Sequence, residues 1–522
     1  MKRWICLLFL VIPLLHSFPA HGVPPEGVMK SLVAKLDAWA VEEAWVEARA
    51  LLAGEPKDPQ ILELASHIAL HRGDYQEALR LAKAAFAAGE EDSRKGLALF
   101  LEETIGVLNT LKRFESPHFI IYLDEKQDGI LADYLIDALE KTYAVMARQY
   151  GFQPAEKIRV EVLPDAKTFH YVSTLSPRDI EVTGAVGLTK FNKLMILSPR
   201  ALVYGYRWLD AVSHEYMHYL IVKLTANKAP IWFHEGLSKY EETTWRQGPS
   251  YLSPLYETLL ARALSARKLI GFEQMEPSLI RLETPEEVQL AYAQGASAIE
   301  FILAKAGPDG VKAIMRRMTT YAHRGASDPI RDVLGMPFDE FERNWKEYLA
   351  SKKLRETEGS AVRHYRIKEG KVDEERLDME EIKSMVARNR THLGDRLKER
   401  GRTGAAAMEY RRALAESRTS VSILNRLSAV LLDLDRSQEA LDLLKEAADL
   451  SPDHPTVYTQ LGETYLRLKD FKAAKEAFQE SIQINPFNPM VHQGLAKVWE
   501  ASGNREQAMK EREITRKLIS PR

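Results

Sequence analysis

The sequence predicts a mainly α, multidomain protein in which an α+β domain with a small sheet is flanked on both sides by helical repeats. Three observations lead there: residues 387–522 repeat with a period of roughly 34, a weaker helical repeat fills 25–111, and at 114–350 the hydrophobic period shortens to that of strands before turning helical again. A chain of 522 residues can bury several cores, and its 45% hydrophobic and 28% charged residues are those of an ordinary globular protein. Lys plus Arg number 72 against 74 for Asp plus Glu, so a net charge of −2 gives no sign of a nucleic-acid partner.

The N-terminus has the layout of a signal peptide. Lys2 and Arg3 precede an apolar run from Trp4 to Leu15, and Ser17-Phe-Pro-Ala-His-Gly22 follows, so 1–22 is expected to be removed on export to the periplasm or outside the cell. The run is short for a membrane span and no second one occurs, so no transmembrane helix is expected after cleavage. The single cysteine, Cys6, falls inside this segment. The mature chain then has no thiol, and any metal must be held by histidine and carboxylate.

Within 25–111, Leu62, Ala65, Ala69, Gly73, Tyr75, Ala78 and Ala85 fit a helix-turn-helix unit of tetratricopeptide type, with a fainter copy at Ala44, Ala48, Leu51 and Pro56. A short apolar run at 118–123 and an alternating one at 158–163, stopped by Pro164, predict strands, and Leu131, Leu135, Leu139 and Thr142 mark the helix between them. Segments 184–189 and 193–197 flank Phe191-Asn192 as a hairpin. Helices are expected at 259–266, 288–304, 310–318 and 338–349, punctuated by Gly307-Pro308 and Gly335-Met-Pro337. The charged stretch 351–378 predicts a linker or a solvated connecting helix. In the last third, Leu461, Gly462, Tyr465, Ala474, Phe478 and Pro486 recur one period earlier as Leu427, Leu431, Ala440, Leu444 and Pro452. Such an array is expected to fold as an independent unit and to bind a protein partner on its inner face.

The chemistry concentrates at 208–240. Neither Pro nor Gly interrupts 208–223, and Leu209, Val212, Tyr216, Tyr219 and Leu220 recur as the buried face of a helix requires. His214 and His218 then stack one turn apart and can reach one divalent ion, with Glu215 about 100° further round, beside it. A second helical run, Ile231-Trp-Phe-His-Glu-Gly-Leu237, offers a third ligand. Adjacent His234 and Glu235 are both chemically able, but only one of two helical neighbours can face the histidine pair. Trp232 and Phe233 are expected in the core beneath and Gly236 at a close helix approach; with Glu235 as the ligand, His234 is expected on the cleft wall, free to bond Glu235, substrate or solvent.

The pair His214-Glu-Tyr-Met-His218 and Trp232-Phe-His-Glu-Gly-Leu-Ser-Lys-Tyr240 resembles the gluzincin metallopeptidases, and within them the peptidase MA-like branch attached to tetratricopeptide repeats. That resemblance implies a thermolysin-like domain, zinc held by His214, His218 and Glu235, Glu215 as general base, and a peptide or protein substrate. It also implies an oxyanion-stabilising tyrosine from a downstream helix, for which Tyr292 stands in place. Metzincin spacing is excluded, because Ile221 and Leu224 occupy the positions where that pattern needs Gly and His. The clan's aminopeptidases carry a Gly-Ala-Met-Glu-Asn loop; Gly184-Ala-Val-Gly-Leu188 here lacks the glutamate that anchors a free amino terminus, which argues against aminopeptidase specificity. The alternative is a non-catalytic periplasmic assembly or scaffold protein that keeps a metallopeptidase-like domain.

Overall fold

The computed structural model describes residues 26–362, 365–368 and 374–520; the expected signal peptide and Cys6 lie outside them. The described residues are mainly α, with one mixed sheet of five short strands: β1 (Lys112–Glu115), β2 (Phe119–Leu123), β3 (Ile158–Leu163), β4 (Gly187–Lys190) and β5 (Lys193–Leu197), in the order β1-β2-β3-β5-β4. The inner strands β2, β3 and β5 run parallel, and the edges β1 and β4 are antiparallel. Val160, Val162, Leu194 and Ile196 are fully buried, so the expected strands at 158–163 and 193–197 are the covered middle of the sheet. β1, Lys-Arg-Phe-Glu, has no apolar alternation and is largely exposed; pairing with β2, not burial, makes it a strand.

Two expected boundaries move. Gly184 takes φ +72° as the C-cap of helix Pro177–Thr183, so the first hairpin strand begins at Gly187 and not at 184. Phe191 and Asn192 both have positive φ, the two-residue turn that matches strand twist. The downstream helices run longer than expected, Pro285–Thr320 continuing past a break at Gly307, and Ser327–Leu334 adds one more.

The chain divides into two compact units, the first running to Leu197 and resuming over Asp210–Leu354, the second made of Ser198–Leu209 and the residues from Arg355 onward. In the first, the N-terminal helices grip the β4–β5 hairpin. Phe191 at its tip meets His71 and Phe100, and buried Lys193 donates to Glu161 at 2.7 Å and to the Tyr75 hydroxyl at 3.0 Å. The second unit stacks helix pairs from Met385–Glu399 to Arg505–Ile519. Gly394 lies under Tyr410 and Gly462 under Phe478, where an added Cβ would come within 2.5 Å of either ring, so small and aromatic residues interlock at matched positions of two repeats.

The repeat array forms a compact unit of its own, with one added segment. Its unit includes Ser198–Leu209: Arg207 binds Asp453 and Glu480 at 2.8 and 2.6 Å, and Trp208 Nε1 donates to the Ile482 carbonyl at 3.0 Å. In the charged stretch, Ile367 pairs with Leu202, and Glu374–Glu380 is helical. No described helix is long and apolar enough to cross a membrane.

Candidate metal centre

Three helices build the centre: α1 (Trp208–Thr225), α2 (Ile231–Glu241) and α3 (Pro285–Thr320). Near its N-terminal end α1 carries Asp210, which favours the positive end of the helix dipole and is clamped by Arg246 at 2.8 and 2.7 Å. Val212, Tyr216, Met217, Leu220 and Ile221 are buried, which fixes the rotation of α1 about its axis. Trp232 and Phe233 anchor α2 in the core, Trp232 against Phe272 and Phe341. Gly236 faces Gly295 of α3, where a Cβ on Gly236 would stand 2.4 Å from the Gly295 carbonyl carbon. Backbone contact between α2 and α3 therefore requires both glycines, and it brings Tyr292, one turn before Gly295, to 6.0 Å from the His214 ring.

His214 Nε2 and His218 Nε2 are 3.1 Å apart, and Glu235 Oε2 is 3.4 Å from each. A tetrahedral ion about 2.0 Å from each ligand would space them about 3.3 Å apart, so the triangle fits a metal such as zinc without rearrangement. An oxygen of Glu215 also lies within 4.8 Å of both histidines, but the Glu215 carboxylate is turned to the strand side, where Thr189 Oγ1 donates to it at 2.6 Å. Burial alone would raise the Glu235 pKa, yet the charges of His218 and His214 hold it well below the ordinary carboxylate range. Burial likewise lowers the His214 pKa, and the hydrogen bonds of Glu235 and Glu242 overcome it, carrying it up to about 9. That is the signature of a pocket that wants positive charge. Glu215 moves the other way, its pKa raised by burial despite the nearby histidines.

One carboxylate behind the ligand candidates, Glu242, escaped the sequence analysis. Glu242 Oε2 sits 3.3 Å from His214 Nδ1, and Lys239 donates to its other oxygen at 2.5 Å. A carboxylate on Nδ1 holds that nitrogen protonated and leaves Nε2 free to bind a metal. The expectation that His234 lines the cleft wall, open to solvent or substrate, is corrected: His234 is 2% exposed, and its Nδ1 lies 3.4 Å from His218 Nδ1. Burial and the neighbouring His218 keep its pKa well below the usual histidine value, so a neutral imidazole backs His218. The signal for Glu242 was its place seven residues after Glu235, two turns along one helical stripe.

Comparison with known proteins names the domain that carries this buried histidine–carboxylate cluster. Residues 140–351 form a Peptidase MA superfamily domain, followed by tetratricopeptide repeats matched at 392–455 and 431–497. The chain is 35% identical over 85 residues to the type IV pilus assembly protein PilF of Pseudomonas aeruginosa, covering 16% of this chain and 34% of that one. It is 26% identical over 93 residues to small glutamine-rich tetratricopeptide repeat-containing protein 2 of Mycosarcoma maydis, covering 18% and 26%. Thus the chain spans about a third or less of the curated relatives it matches. Among solved structures, MamA is similar at 22% identity and TM-score 0.25, over 28% of this chain and 85% of that one. A thermophilic tetratricopeptide protein of Thermus thermophilus is similar at 24% identity and TM-score 0.25, over 26% and 74%.

Proposed function

We propose that the protein is an exported zinc metallopeptidase with a thermolysin-like catalytic domain, which hydrolyses peptide bonds in a protein substrate, and whose repeats recruit a protein partner. The observation that carries this is the triangle of His214 Nε2, His218 Nε2 and Glu235 Oε2 at 3.1–3.4 Å. Zinc held there supplies Lewis acidity that acidifies a water and polarises a carbonyl. The chain's own residues do the rest. Glu215, whose burial raises its proton affinity, takes a proton from the attacking water and hands it to the leaving amine. Tyr292, its hydroxyl kept protonated by burial and by the charge of Glu235, donates a hydrogen bond to the developing oxyanion. Glu242 and His234 hold the two imidazoles in the tautomer that presents Nε2.

A second reading, a non-catalytic assembly or scaffold protein, is favoured by one observation: the curated relatives named above are a pilus assembly protein and a tetratricopeptide repeat protein. Metal content of the mature protein, with peptide turnover measured before and after chelation and zinc return, separates the two. Turnover that tracks zinc supports the peptidase; stoichiometric zinc with no turnover of any peptide in a diverse library supports the scaffold.

A further inference from the structure

Glu215 is held from outside its own helix, by the strand edge. Side chains alternate along a strand, so Gly187 and Thr189 project from the same face of β4, and both meet the Glu215 side chain. A Cβ on Gly187 would stand 2.6 Å from Oε1 and 2.7 Å from Cγ, so only glycine leaves room for the carboxylate there. Two residues on, Thr189 Oγ1 lies 2.6 Å from Oε2 and 2.8 Å from the Glu215 carbonyl oxygen. One hydroxyl carries one proton, and the two acceptors compete for it. The carbonyl lies inside α1, where the helix supplies its usual N–H partner four residues on, whereas the carboxylate gains a charge-assisted bond whose normal length is about 2.5–2.7 Å. Glu215 is 6% exposed, so little water competes for the same oxygen.

We propose that β4 is the positioning element for Glu215, with Thr189 as the positioning residue and Gly187 as the space it needs. The strand is itself braced. Phe191, two residues past Thr189, packs on His71 and Phe100 of the N-terminal helices, and Lys193 on β5 is tied to Tyr75 and Glu161. The N-terminal helices thereby acquire a role beyond recruitment: they fix the register in which β4 meets Glu215. This deepens the peptidase reading and rests on Glu215 as its proton acceptor.

Crystal structures of zinc-loaded wild type, Thr189→Ser, Thr189→Val and Gly187→Ala, with calorimetric zinc affinity for each, test the placement without any substrate. We expect the carboxylate against residue 189 in wild type and Thr189→Ser, and turned away from β4 in the other two, with zinc affinity held within about threefold throughout, since no ligand or ligand partner is altered. An unmoved carboxylate in folded Thr189→Val and Gly187→Ala would overturn the proposal. On a peptide that wild type cleaves, Thr189→Val is expected to lose about 10- to 100-fold in kcat with KM nearly unchanged, and Thr189→Ser to recover most of it. A KM effect without a kcat effect would also overturn it. If the carboxylate moves as expected while wild type cleaves nothing, the positioning stands and the peptidase reading fails.

Discussion

On the helical side of the centre, His214, His218 and Glu235 sit on α1 and α2, and α2 touches α3 backbone to backbone at Gly236 and Gly295. On the strand side, Glu215 faces a four-residue edge strand held at its tip by Phe191. The helical side is over-determined: close-packed backbones, buried aromatics and the Lys239–Glu242 pair each restrict the same atoms. The strand side hangs on one hydroxyl and one missing methyl. Binding groups thus stand on the part of the fold least able to move, whereas the group expected to shuttle a proton stands where a single side chain decides its position.

Variants on the two sides should therefore separate metal binding from turnover. The largest effect is expected from Glu215→Gln, which should keep zinc and lose about 10²- to 10⁴-fold in kcat, measured with metal content on the same sample. Equal turnover by wild type and variant would mean that Glu215 is not the proton acceptor. Next, Gly236→Ala forces a methyl into the Gly295 backbone and should cost about 3 kcal/mol in chemical denaturation of the metal-free protein, carrying ligand geometry with it. Unchanged stability there would mean that the crossing yields more readily than close packing allows.

Ligand and support should then rank in order. An apparent zinc free energy of about 10–16 kcal/mol for a structural site of four protein ligands makes one ligand worth about 2.5–4 kcal/mol, so Glu235→Ala should lose about a hundredfold or more in affinity. Glu242→Gln should cost about 10- to 100-fold and His234→Ala about tenfold, because a charged partner holds its histidine more firmly than a neutral one. Competition against a chelator of known affinity measures all three, and a larger loss from His234→Ala than from Glu235→Ala would reverse the ligand assignment. The smallest effect is in pH. In the metal-free protein the His214 pKa is raised from 6.5 to about 9, so its contribution to stability is complete below about 6.5 and is lost as pH rises through about 9. Zinc needs the lone pair that this proton occupies, so zinc affinity should fall as pH drops below about 9, by up to about tenfold per unit for that proton. Titrations between pH 6 and 9 read the slope; a flat profile would mean that His214 already presents a free Nε2.

The sequence by itself determined what depends on short covalent spans. The four-residue spacing of His214 and His218 puts both on one face of any helix, the 34-residue repeat follows from self-similarity, and β5 announces itself as an apolar run because it is buried on both faces, β2 and β3 by the apolar residues they bury at every second position. Edge strand β1 was silent because pairing, not burial, makes it a strand. Local spacing left His234 and Glu235 equivalent, since it places neighbours about 100° apart without saying which way the helix is turned. Packing of Trp232, Phe233 and Gly236 settles that rotation, aiming Glu235 at the histidine pair and His234 behind it. Thr189 at Glu215, Tyr292 at His214 and Arg207 within the repeat unit are likewise products of tertiary structure. Each joins residues more than twenty positions apart, and a contact of that kind is set by how whole elements pack, a sum over many side chains that no short window of sequence contains.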